Sequence, residues 1–230
     1  MNSLAIVNGS GMHYLKLLVI RHAQSLGNAE TRMEGQSSTP LSPLGQHQAQ
    51  RLARYLQHQA EPPSHCYSSP LLRAVQTAKT LIKPYPGLAM SPLDSLQELH
   101  QGIFQGLTWA EATGRYPDLC HQLTSTLAYC PVPQAETLKG ACHRAQQCAH
   151  ELRQHQAGDV VWAISHGGFM QYLIAAILGC DRTWQLPIGH TAIFEFWLAL
   201  NHENHAESRF NPECWQIKQF NNTEHLVGDF

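Results

Sequence analysis

Charge is scarce in this chain. Asp, Glu, Lys and Arg make up 14% of 230 residues and the formal net charge is −2, so no broad basic field exists to draw in a polyanion, and nucleic acid is not an expected partner. Long apolar runs are also missing: nothing approaches the roughly eighteen residues of a membrane span. The opening Met1-Asn2-Ser3-Leu4-Ala5-Ile6-Val7 lacks the basic start and extended apolar core of a secretory signal, which gives a cytoplasmic expectation. The seven cysteines include no C-x-x-C pair, so neither a disulfide framework nor a zinc ribbon is indicated and reduced thiols are expected. Cys142-His143 through Cys148-His150 fits no usual zinc spacing and lies in an expected helix. The glycines of Asn8-Gly9-Ser10-Gly11 precede the first strand, which excludes a dinucleotide-type phosphate loop. Residues 1–13 read as a loose tail ahead of a single domain over 14–230, a usual size for one α/β unit.

Histidine, in contrast, is plentiful at fifteen residues. Two of them follow apolar strands directly: Leu17-Leu18-Val19-Ile20 runs into Arg21-His22, and Val160-Val161-Trp162-Ala163-Ile164-Ser165 runs into His166-Gly167-Gly168. Ligands of open α/β sheets bind beyond the carboxyl ends of the strands, so both rings are expected in one crevice.

The remaining elements alternate. The polar segment 29–43 reads as a loop, followed by a helix from about Leu44 with Ala49, Leu52, Ala53 and Leu56 on its apolar face, closed by Pro62-Pro63. His65–Ser68 is a short strand, after which Ser69-Pro70 offers an N-cap and a first-turn proline. The helix that follows carries Leu71, Val75, Ala78 and Ile82 on one side. Residues 108–130 give one or two short helices broken at Pro117, about Glu136–Gln156 is helical, Gly167-Gly168 open a helix to Leu178, and Ala192–Leu198 and Trp215–Phe220 are strands. Strand-helix alternation implies a three-layer α/β/α sandwich around a mostly parallel sheet.

These motifs resemble the histidine phosphatase superfamily, also called phosphoglycerate mutase-like. Arg21-His22 and Ser165-His166-Gly167-Gly168 match its two histidine signatures, and Ser68-Ser69-Pro70-Leu71-Leu72-Arg73-Ala74-Val75-Gln76-Thr77-Ala78 looks like a third. The resemblance implies that His22 is a nucleophile phosphorylated in passing and that Glu98, in Leu96-Gln97-Glu98-Leu99-His100-Gln101-Gly102, is the general acid and base. It implies further that His166 joins the catalytic group, that Arg21, Asn28 and Arg73 bind phosphate, and that the helix opening at Gly167 aims backbone donors there. No cofactor and no metal ligand are implied. Neighbouring cations favour the neutral ring that a nucleophile needs, and an arginine fork at a helix start suits two phosphate oxygens. Partial burial would raise the Glu98 pKa and keep a fraction protonated.

Departures from the family pattern are Ala23 after the first histidine, Gln24-Ser25, Ala135-Glu136-Thr137, and Ser38 where an Asp often stands; none removes a charge the chemistry needs. The stretch from Gly106 to Glu136 has Arg115 and His121 but no basic cluster to hold a second phosphate, which favours a phosphatase over a mutase. Residues 100–137 are expected to cover a small phosphorylated metabolite, with Trp109, Tyr116 and Tyr129 giving a moderately polar pocket. The alternatives are mutase-type transfer, a phosphoprotein substrate, or a non-catalytic phosphate-binding module. A homodimer is one option for the assembly. The ending Phe220-Asn221-Asn222-Thr223-Glu224-His225-Leu226 is read as structural.

Overall fold

The computed structural model describes residues 13–200 and 210–227, so most of the expected N-terminal tail lies outside the described residues. In chain order the elements are β1 (Leu15–Arg21), α1 (Leu26–Ala29), α2 (Pro43–Gln59), β2 (His65–Ser68), α3 (Leu72–Ile82), β3 (Met90–Pro92), α4 (Trp109–Arg115), α5 (Pro117–Ser125), α6 (Leu138–Leu152), β4 (Val160–Ser165), α7 (Gly167–Ile177), β5 (Ile193–Leu198) and β6 (Trp215–Asn222). Among the described residues no helix is long and apolar enough to cross a membrane.

The strands form one sheet in the order β3-β2-β4-β1-β5-β6. Pairings β3-β2, β2-β4 and β4-β1 are parallel, whereas β5 runs antiparallel to both β1 and β6. Both faces are covered. Leu15, Leu17 and Val19 of β1 with Val161 and Ala163 of β4 pack on α6 and α7, while Leu18, Ile20, Trp162 and Ile164 pack on α2 and α3. Alternate residues therefore go to opposite buried faces, which is why these strands read as unbroken apolar runs. The three-layer α/β/α expectation describes this architecture.

Two local readings change. The α3 helix starts at Leu72, with Leu71 as N-cap, rather than at Pro70. Ser69 instead continues β2, its N–H donating to the Ile164 carbonyl at 3.0 Å while its Oγ accepts the Leu71 N–H at 3.3 Å. The buried face of α3 is Arg73, Ala74, Thr77, Ala78 and Leu81; of the expected stripe Leu71 and Ala78 are buried and Ile82 packs on the core, whereas Val75 is only partly buried. The helix is rotated because Arg73 and Thr77 must also face the strand ends.

Residues 100–137 surround a small separate cluster of Phe104, Leu107, Ala112 and Cys120. The chain ending packs back on the main body: Arg51 Nε donates to the His225 carbonyl at 2.7 Å, and His225 Nε2 meets Thr191 Oγ1 at 2.8 Å. Cys142 is exposed and Cys148 is buried in the α6 core, so the Cys/His run of that helix does not gather around a metal.

Candidate active site

The two histidines are brought together by strand register. Arg21 pairs with Ser165 at the ends of β1 and β4, so the next residues, His22 and His166, emerge side by side, and the His22 N–H donates to the Ser165 carbonyl at 2.9 Å. Their ring centroids are 4.8 Å apart. Both are buried.

Hydrogen bonding fixes the state of His22. Its Nδ1 is 2.7 Å from the Ala23 carbonyl, and a carbonyl can only accept, so Nδ1 carries the proton and Nε2 presents a lone pair. Arg73 Nε–H points at that lone pair from 3.2 Å. Burial first, then the Arg73 and Arg21 guanidiniums, hold the His22 pKa well below its ordinary value. His166 is depressed in the same way by burial and by His22, Arg73 and Arg21. The ring at the end of β1 is a neutral, oriented base whose unprotonated nitrogen faces the Arg73 guanidinium.

Arg73 departs from the expected phosphate fork. Its Nη1 donates to the Ser37 carbonyl at 2.6 Å and Nη2 to the Gly35 carbonyl at 2.7 Å, and Glu34 Oε2 lies 3.6 Å from Nε. A guanidinium buried this deeply needs acceptors and a counter-charge, and the loop 34–37 supplies them. Ser38 Oγ accepts the Leu72 N–H at 3.1 Å, so the serine that replaces the usual aspartate still anchors the loop to α3.

Asn28 sits in the short α1 turn. Its Nδ2 donates to Glu34 Oε2 at 2.9 Å, and its Oδ1 faces His190 Nε2 at 3.1 Å. Arg21 reaches sideways, with Nη1 donating to the Ile188 carbonyl at 2.6 Å and Nη2 lying 3.2 Å from His190 Nε2. Its Nε is buried and unpartnered, as is His166 Nδ1.

Glu98 occupies the irregular segment after a short 3₁₀ turn at Asp94–Leu96. Its carboxyl oxygens accept backbone N–H groups from Leu99 (2.9 Å), Gly168 (3.0 Å) and Phe169 (2.7 Å). The first-turn donors of α7 thus serve Glu98, where open phosphate donors were expected. Gly167 and Gly168 admit this arrangement. A Cβ on Gly167 would meet Arg21 Nε at 3.2 Å, and one on Gly168 would meet Glu98 Oε1 at 2.6 Å.

Arg21, Glu98 and Gly167 open onto a cleft of about 530 Å³ whose far side is Gln171, Leu186 and Ile188. A larger groove of about 760 Å³ along residues 218–227 contains none of these groups, so chemistry rather than size identifies the site.

Sequence reasoning missed Glu34, Ser69, Gln171 and His190. His190 is depressed to about 4 by burial and Arg21. It stands at the strand ends because β5 is antiparallel, so the residues before β5 lie beside the residues after β1; strand direction is the signal that would have found it. Gln171 Nε2 donates to the Leu186 carbonyl at 2.7 Å and its Oε1 accepts the Leu186 N–H at 2.8 Å, pinning the cleft wall.

Comparison with known proteins bears on the family and the fold. The sequence model of the histidine phosphatase superfamily, branch 1, matches residues 17–223. A phosphoglycerate mutase-like protein 4 of Arabidopsis thaliana is 29% identical over 93% of this chain and 87% of its own length. A mycobacterial glucosyl-3-phosphoglycerate phosphatase superposes with TM-score 0.68 at 27% identity, covering 91% of this chain and all (100%) of that one. A phosphoserine phosphatase from Entamoeba histolytica, solved with 3-phosphoglyceric acid, shares the fold with TM-score 0.69 at 24% identity over 92% of this chain and 99% of its own.

Proposed function

Because the chain belongs to the histidine phosphatase superfamily, branch 1, we propose that it is a metal-independent phosphatase of small phosphomonoesters working through a phosphohistidine on His22. The observation that carries this reading is the His22 ring, whose proton is held on Nδ1 by the Ala23 carbonyl at 2.7 Å so that Nε2 is left as the nucleophile. In the first step the Nε2 lone pair bonds to phosphorus and displaces the Arg73 N–H from that nitrogen. The bond to the ester oxygen breaks, and Glu98 delivers a proton to the departing alcohol. In the second step water attacks phosphorus, Glu98 takes its proton, and the N–P bond breaks to release phosphate.

The two unpartnered buried atoms support a phosphoryl site. Ser69 Oγ already accepts the Leu71 N–H, so its own proton is available to His166 Nε2 at 2.7 Å; the ring's proton then resides on Nδ1 as a donor. Arg21 Nε and His166 Nδ1 are thereby two donors for phosphate oxygens, and a buried donor left unpaired costs about 1–3 kcal/mol. Asn28 contributes a neutral amide, the Gly167 backbone leaves room for the guanidinium, and Arg73 supplies charge beside Nε2. The segment 100–137 is tied to the site through Gln36, whose backbone N–H donates to Gln105 Oε1 and whose Nε2 donates to the Glu98 carbonyl; we assign the segment the covering role.

Hydrolysis is favoured over mutase transfer by the scarcity of free cations. Arg115 and His121 are exposed on the outlying helices, and Arg144 is committed to Glu136 and to the Ser95 and Gln97 carbonyls. The test is phosphate release from a panel of phosphomonoesters, with EDTA throughout, by wild type and His22→Ala. Release that disappears in the folded variant is expected. Undiminished release by His22→Ala would sink the nucleophile assignment, and phosphate moved to a second hydroxyl without release would make the protein a mutase.

A further inference from the structure

At the opposite end of the sheet from His22, where β2 and β4 begin, a second group of titratable side chains converges. His65 is the first residue of β2, Asp159 immediately precedes β4, and His155 lies in the connection from α6. His65 Nε2 is 3.7 Å from Asp159 Oδ2, and the His65 and His155 rings lie with centroids 4.2 Å apart, tilted by 34°. One ligand atom from each residue lies within 4.8 Å of the other two, and all three residues are partly buried, open enough for an ion to enter.

We propose that His65, His155 and Asp159 form a zinc-binding site with water as the fourth ligand. Two imidazoles and a carboxylate suit a late divalent transition metal rather than calcium or magnesium, which take oxygen ligands. Much of the site is held in place without the ion. His65 is fixed by its pairing with Val161. Asp159 is fixed by a tight turn: its Oδ2 accepts the Gln156 N–H at 2.9 Å, Gly158 adopts φ +100°, and the Asp159 carbonyl accepts the Lys16 N–H at 2.9 Å. Bonds of about 2.0–2.1 Å place tetrahedral ligands about 3.3 Å apart, so the ligand atoms, now within 4.8 Å of one another, must draw together. His155 sits outside any regular element and has the freedom to do so. The ion would clip the start of β2 to the α6–β4 connection, segments about 90 residues apart in the chain, and this role is independent of the chemistry at His22.

The experiment uses the full chain, stripped with chelator and desalted, then titrated with Zn²⁺ alone. Wild type should bind one equivalent more than either His65→Gln or His155→Gln, and its Tm should rise by about 5 °C at roughly 100-fold excess over Kd. Equal uptake by all three proteins, or a wild-type Tm that does not move, would overturn the proposal. Crystals of wild type grown with Zn²⁺ and measured at the zinc edge decide the matter even where a variant fails to fold. An anomalous peak among the three side chains is expected, and a peak only elsewhere, or none, refutes the site.

Discussion

Glu34 shows how one residue holds several others. Its carboxylate accepts from Ser25 Oγ at 2.6 Å, from Asn28 Nδ2 at 2.9 Å and from Thr39 Oγ1, and it lies 3.6 Å from Arg73 Nε. Replacing one partner of a buried ion pair leaves the other uncompensated, at a cost of about 3–5 kcal/mol. Glu34→Gln retains the size and some hydrogen bonds, so a loss near 3 kcal/mol is expected from urea unfolding; a change below about 0.5 kcal/mol, typical of surface substitutions, would show that Arg73 does not depend on it. At Glu98 the expected signature is kinetic. Glu98→Gln cannot donate or take a proton, so turnover should fall about 10²–10⁴-fold on alkyl phosphates and far less on aryl phosphates with good leaving groups. Equal losses on both would remove Glu98 from the proton path.

At the level of elements, contact between backbones sets the tolerance. Gly45 in the first turn of α2 is packed on the Gln24 backbone, where an added Cβ would come within 2.8 Å of the Gln24 carbonyl carbon. Backbone cannot yield as a flexible side chain can, so Gly45→Ala should destabilise by about 1–3 kcal/mol, measured as a shift in urea midpoint with unchanged slope. Strands β1 and β4 were legible in the sequence because burial on both faces makes them continuous apolar runs, the short β2, buried only at Cys66 and Ser68, because Pro62-Pro63 and Ser69-Pro70 bracket it, and α2 because its core repeats at helical spacing. β3 was not, since Met90–Pro92 is a three-residue edge strand ending in proline. The antiparallel direction of β5 left no mark either, because direction depends on tertiary pairing rather than on local pattern. His22, His166, Arg73 and Glu98 were legible through their motifs. Glu34 was not: a carboxylate in a polar loop ordinarily faces water, and only the depth of Arg73 explains its burial.

For the whole molecule, the same burial that prepares the site makes folding sensitive to acid. His22, His166, His190 and His225 all have depressed pKa values, the last two near 4, and burial is the leading cause in each case. The unfolded chain binds protons at these rings near pH 6.5, whereas the folded protein refuses them until lower pH. Between those limits the unfolded state holds more protons, so stability rises with pH and is lost as pH falls below about 6.5. Each fully excluded proton contributes up to about 1.4 kcal/mol per pH unit. The urea midpoint should therefore be level above pH 7 and fall steeply from pH 6 to 5. His225→Gln separates the fold from the site, since His225 is buried against Tyr55 and Thr191 and lies outside the proposed chemistry. That variant should begin less stable at pH 7.5 and lose less between pH 6 and 5 than wild type does. A midpoint that stays level down to pH 5 in wild type would mean that these rings accept protons inside the folded protein, and the neutral His22 on which the proposed nucleophile depends would fail with it.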